Sequence, residues 1–147
     1  MQKALLVGQV PSKRGNGQPA VSGGLGSAAR LSKLIGMPVL DAFDAVNLLD
    51  GWPGKQGKGD AFPAGAAKDK AVDIAVYDRH QVLILMGRRV AAAFRVCDLD
   101  YFGTTLLWSK RVYLFPHPSG VNRWWNDEEN VAEAGRFLRK FVRRNDG

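Results

Sequence analysis

Three short segments of the chain carry side chains able to do chemistry. The first is His117-Pro118-Ser119-Gly120-Val121-Asn122-Arg123-Trp124-Trp125. His117 can donate a hydrogen bond to a developing anion or carry a proton. Ser119, together with the backbone N–H groups of Ser119 and Gly120, can hold a phosphate oxygen. Val121 is an apolar tip of a kind that wedges into a base stack. The same run also reads as a plain turn before a helix, with Trp124 and Trp125 packed as a staple. The second segment is Gly8-Gln9-Val10-Pro11-Ser12-Lys13-Arg14. Gly8 and Pro11 set a bend, Gln9 offers a donor and an acceptor, and Lys13 and Arg14 suit an anion or simply a solvated basic loop. The third is Phe43-Asp44-Ala45-Val46-Asn47-Leu48-Leu49. Asn47 lies in an apolar run, where its amide either finds backbone partners or reads the edge of a base with its paired donor and acceptor.

Several chemistries are excluded by what the chain lacks. The Gly-rich stretch 15–26 has no Gly-Lys-Ser/Thr ending, and Gly24-Leu25-Gly26 has no third glycine three residues on, so neither phosphate-loop nor dinucleotide fingerprint is met. His80 and His117 are the only histidines and Cys97 the only cysteine, so no His/Cys/carboxylate cluster has metal-ligand spacing and no disulfide framework is possible. A Gly-x-Ser-x-Gly nucleophile elbow is absent.

The elements that must position these segments are legible as alternating strands and helices. Apolar runs at 4–7, 45–49, 82–86 and 111–115 read as strands buried on both faces. Leu25, Ala28, Leu31, Leu34 and Ile35 form a helical stripe closed by Gly36 and Pro38. Residues 66–77 read as an Ala-rich helix with Val72, Ala75 and Val76 inward, and 88–95 as a short helix after Gly87. A final helix carries Val131, Ala134, Leu138, Phe141 and Val142 inward. Asn126 is placed to cap it, with Glu129 three residues on. Such alternation implies a parallel sheet with right-handed crossovers, whose ligands bind at the strands' carboxyl ends. Two of the three chemical segments follow a strand, and the third, with Asn47, lies in one.

The 147 residues suit one domain, 1–147. Lys and Arg outnumber Asp and Glu by 21 to 14, a net charge of +7 that favours polyanionic partners. Lys13, Arg14, Lys55, Lys58, Arg88, Arg89 and Arg123 lie in or beside the segments that follow the strands. No stretch approaches the roughly 20 apolar residues of a membrane helix, so no membrane partner is expected. The apolar start at 4–7 reads as an interior strand rather than a leader.

Taken in order, these pieces resemble the uracil-DNA glycosylase superfamily. The resemblance runs from Gly8-Gln9-Val10-Pro11 through Arg30-Leu31-Ser32-Lys33-Leu34-Ile35-Gly36, the strand with Asn47, and Leu85-Met86-Gly87-Arg88-Arg89-Val90-Ala91, to His117-Pro118-Ser119-Gly120. It implies a three-layer α/β/α sandwich around a short, mainly parallel four-stranded sheet. It also implies hydrolysis of the N-glycosidic bond of uracil or another deaminated or modified base flipped out of single- or double-stranded DNA. The family's reaction uses no metal or cofactor, and a monomer in the cytoplasm, on the nucleoid if bacterial, is expected.

By the same resemblance, His117 stabilises the leaving base, and Asn47 reads its edge. Gly8, Gln9, Pro11 and Ser12 place the water and touch the target phosphates. Ser119 and Gly120 clamp phosphate, and Val121, Asn122 and Arg123 fill the gap left by the flipped base. Lys13, Arg14 and Arg88 are further DNA contacts. Many members carry Asp or Asn where this chain has Val10; Gln9 is the substitute, with Asp50 or Asp60 as more distant bases. Phe43, Trp52 and Phe62 are the alternatives for the aromatic that stacks on the base. The second reading keeps the fold for DNA or nucleotide binding with hydrolysis weakened or lost, and the third is an enzyme acting on a free nucleoside or nucleotide.

Overall fold

Four apolar runs become the parallel strands of one sheet. In the computed structural model, which describes residues 2–9, 27–49, 55–56, 59–60, 63–119 and 122–142, these are β1 (Leu5–Gly8), β2 (Asp44–Asn47), β5 (Val82–Met86) and β7 (Lys110–Phe115). Between them stand α1 (Ser27–Ile35), α2 (Val39–Ala42), the two-residue strands β3 (Lys55–Gln56) and β4 (Gly59–Asp60), α3 (Ala64–Tyr77), α4 (Arg88–Ala93) and β6 (Thr104–Leu107). A short 3₁₀ helix at Arg123–Asn126 leads into α5 (Glu128–Arg139).

The sheet has five strands in the order β2-β1-β5-β7-β6. The first four pair in parallel, and β6 runs antiparallel to β7 with Thr104 opposite Tyr113 and Leu107 opposite Lys110. The expectation of four strands is therefore corrected to a mixed five-stranded sheet. β6 escapes the sequence pattern because it is a one-sided edge strand, alternating exposed and half-buried residues, rather than a continuous apolar run. A separate antiparallel pair, β3–β4, sets Lys55 opposite Asp60 and Gln56 opposite Gly59.

Side chains alternate across each strand and build a core on each face. Leu5, Val7, Leu83, Leu85, Val112 and Leu114 meet α3 and α4. Leu6, Ile84, Met86 and Phe115 meet α1, α2 and α5. In α3 the buried positions are Ala67, Ala71, Ile74 and Ala75, while Val72 and Val76 are 57% and 42% exposed. The expected inward face is thus rotated. Small alanines at i, i+4 and i+8 (Ala67, Ala71 and Ala75) let the helix approach the sheet closely, Ile74 at i+7 fills the same stripe, and Val72 and Val76 fall outside it. Gly36, at φ +74°, closes α1 as its position suggests. The cap of α5 is Asp127, whose carboxylate accepts the Glu129 N–H at 2.8 Å. Asn126 belongs to the preceding 3₁₀ turn instead.

At the amino end of the sheet a polar cluster ties the layers together. His80 is buried, with Nδ1 2.7 Å from Asp78 Oδ1 and Nε2 2.7 Å from Asp44 Oδ2. The buried Lys110 ammonium donates to the carbonyls of Asp78 and His80. Burial pushes the Asp78 carboxyl up. Hydrogen bonds from the His80 backbone and ring, with the charges of His80 and Lys110, outweigh this and hold it below its ordinary value. No described helix is long and apolar enough to cross a membrane.

Candidate functional site

The strand order decides where a ligand can enter. The chain passes from β1 to β2 on one side and then crosses to β5 on the other. The connection leaving β1 leads to α1, on one face of the sheet, and the one leaving β5 leads to α4, on the opposite face. Helices that diverge in this way put the topological switch point of the sheet, where ligands of open α/β sheets bind, at the carboxyl ends of β1 and β5.

Asn47, Gly8, Met86-Gly87 and His117 end or follow neighbouring strands at that edge. Asn47 is the last residue of β2 and is 8% exposed; it pairs in register with Gly8. A Cβ on Gly8 would stand 2.6 Å from Asn47 Oδ1, so the missing side chain is what admits the amide. The backbone continues this pairing past the strands, with Leu48 N–H donating to the Gly8 carbonyl and Leu49 N–H to that of Gln9. Gln9 is thereby fixed at the mouth of the β1 end.

His117 is held from four sides. Its Nδ1 accepts the Ser119 N–H at 3.1 Å, which in the neutral ring leaves the proton on Nε2. Its carbonyl accepts two donors at 2.8 Å, the Asn122 side-chain amide and the Trp125 indole N–H. Beneath the ring lies Gly87, at φ +105°; a Cβ there would stand 3.1 Å from His117 Cβ and 3.2 Å from Cδ2. The Gly87 N–H also donates to the Phe115 carbonyl at 2.8 Å, locking the β5 exit to the β7 exit. Only glycine satisfies both the left-handed backbone and the close ring at this position.

Several expected roles are corrected by these contacts. Phe43 is fully buried in the α1/α5 face and precedes β2, at the end opposite Asn47, so it is a core residue and cannot stack on a base there. Asn122 donates one amide hydrogen to the His117 carbonyl and accepts the Trp124 N–H, bracketing the loop. The Ser119 N–H serves His117 instead of a phosphate. Arg88 sits at the carboxyl edge, but its guanidinium donates to the Leu99 carbonyl at 3.2 Å and lies 4.9 Å over the Tyr101 ring. Arg123 is exposed at the start of the 3₁₀ turn. Val10, Pro11, Ser12, Lys13, Arg14, Asp50, Trp52, Phe62, Gly120 and Val121 lie outside the described residues.

Two positioning residues carry weaker sequence signals. Gly87 is marked only by its place between an apolar strand and a helix. Trp125 reads as a packing aromatic, and its indole N–H bond to His117 depends on a loop geometry that the sequence does not state. Among the described residues no group of three or more His, Cys, Asp or Glu could hold a metal ion. The chain matches no protein-family model and no curated protein sequence.

Proposed function

We propose that the protein is a DNA glycosylase of the uracil-DNA glycosylase type, built as the three-layer α/β/α sandwich of that superfamily. It would hydrolyse the N-glycosidic bond of uracil or another deaminated or modified base flipped out of DNA. One observation carries the reading: His117 accepts a backbone N–H on Nδ1, so the neutral ring has its proton on Nε2 as a hydrogen-bond donor. A base leaving C1′ departs as an anion, and a preorganised donor at its carbonyl oxygen lowers the barrier. The C1′–N bond breaks, water's oxygen bonds to C1′, and a water proton ends on the base. Asn47 reads the base edge, and Gln9 orients the water. Flipping costs a few kcal/mol and is least costly at damaged or mispaired bases. The net charge of +7 suits a polyanionic partner.

A second reading has its own observation. Val10 stands where many members of the superfamily hold Asp or Asn, and neither it nor Gln9 can act as a base. The same fold would then bind DNA with hydrolysis weakened or lost.

The test incubates the protein with single- and double-stranded oligonucleotides containing uracil or hypoxanthine, followed by alkali. Strand breakage is expected, and His117→Ala or Asn47→Ala should reduce it by about 100-fold or more, the scale of a lost oxyanion donor. Salt-sensitive binding without abasic product on any base would reject the first reading in favour of the second.

A further inference from the structure

Arg30, on α1, presents an energetic oddity beside this site. Its Nη1 is buried and has no hydrogen-bond partner. No carboxylate among the described residues forms an ion pair with it. A shielded guanidinium N–H left unmade is costly, and this half-buried cation has no carboxylate partner among the described residues to offset it. What the guanidinium does have is a face: its Cζ lies 4.8 Å from the centroid of the Trp125 ring. That indole is buried, and its N–H donates to the His117 carbonyl at 2.8 Å. Trp124 closes on the same ring edge-on, at 4.8 Å between centroids.

We infer that Arg30 is a positioning residue for His117, acting through Trp125. A cation over an indole face draws electron density toward itself and makes the ring N–H a stronger donor. The strengthened bond fixes the His117 carbonyl, and with it the short turn in which the Ser119 N–H reaches Nδ1. The charge at position 30 is therefore retained at the expense of stability for the orientation of one imidazole. A purely structural staple would give the opposite sign, because removing it would lower stability first.

The inference rests on the glycosylase reading for its meaning in catalysis, but its physical core can be read without turnover. Arg30→Met keeps the length of the side chain and a favourable sulfur–ring contact while removing the charge. Arg30→Lys keeps a cation. Trp125→Phe keeps a ring and removes the N–H. Proton–nitrogen NMR reports the tautomer of each of the two histidines, with His80, at the far end of the sheet, as internal control.

The wild-type His117 is expected in a single Nε2–H tautomer. In Arg30→Met and Trp125→Phe its signal should become a tautomer mixture while the His80 signal stays put, and Arg30→Lys should lie closer to wild type. Arg30→Met should melt at the same temperature or higher, and its single-turnover rate of base release should fall about 3- to 10-fold, the scale of one cation–π contact. An unchanged His117 signal in Arg30→Met overturns the inference. So does a change accompanied by a shifted His80 signal and a lower melting temperature. If wild type releases no base at all, the glycosylase reading fails, and the NMR comparison still decides the role of Arg30.

Discussion

Gly8 shapes the site by the side chain it lacks. Because a Cβ there would stand 2.6 Å from Asn47 Oδ1, Gly8→Ala must turn or push the Asn47 amide. The nearest other atom, Met86 Cε at 3.4 Å, is at ordinary contact distance, so the cost falls on the amide rather than on the core. Displacing a substrate-reading group by about 1 Å can cost on the order of 100-fold in rate. Gly8→Ala is therefore expected to lower base release by about 10- to 100-fold while shifting the melting temperature little; an unchanged rate would show that Asn47 does not read the base. At this scale the sequence is legible where chemistry demands a rare side chain. His117 and Asn47 stand out because an imidazole in a Pro-flanked turn and an amide in an apolar strand both need a reason. Phe43 misleads because residue type does not reveal whether an aromatic is packed into the core. Nor does the type of Asn122 tell that its amide brackets the loop backbone beside it.

Among the elements, α5 shows how local chemistry sets a boundary. Asp127 accepts the Glu129 N–H, and Asn126 completes the 3₁₀ turn before it. Asp127→Ala should cost about 1 kcal/mol in denaturant unfolding, the usual worth of an N-cap, whereas Asn126→Ala should leave the midpoint within a few tenths of a kcal/mol. Equal losses would mean that the helix start is shared between the two. Asn126 and Asp127 are both good caps by type, and the preceding turn, which no periodicity announces, decides between them. The apolar strands and the stripes of α1 and α5 are legible because buried runs and a helical period leave a pattern. α2 is too short to leave one, and β6, as long as β1 and β2, is too exposed. In α3 the alanines with Ile74, rather than the valines, mark the inward face, because the small residues let the helix lie close to the sheet.

The whole molecule is organised as a sheet with two different ends. At the amino end, Asp44, Asp78, His80 and Lys110 link β2, the end of α3, β5 and β7. The Asp78 carboxyl is held below its ordinary value, so its contribution to stability is present in full above the unfolded carboxylate range. That contribution is lost as pH falls through the depressed folded value. Wild type should accordingly lose stability progressively below about pH 5. Asp78→Ala should be less stable by about 1–2 kcal/mol near neutrality, through the His80 N–H left without its partner, and should show a flatter acid limb. Urea midpoints measured from pH 3 to 7 on both proteins would check this; parallel acid limbs would show that Asp78 is not the group being titrated.

The β2-β1-β5-β7 order sets His80 and its partners at one end of the same four strands that deliver Asn47, Gly8, Gly87 and His117 at the other. For laboratory evolution this makes the chain two nearly independent libraries. Diversity introduced around the clamp changes how long a variant survives heat, acid or proteolysis. Diversity introduced around the opposite rim changes what it accepts. Robustness gained in the first can be spent on tolerating costly substitutions in the second, with Arg30 as a costly residue the molecule already carries there.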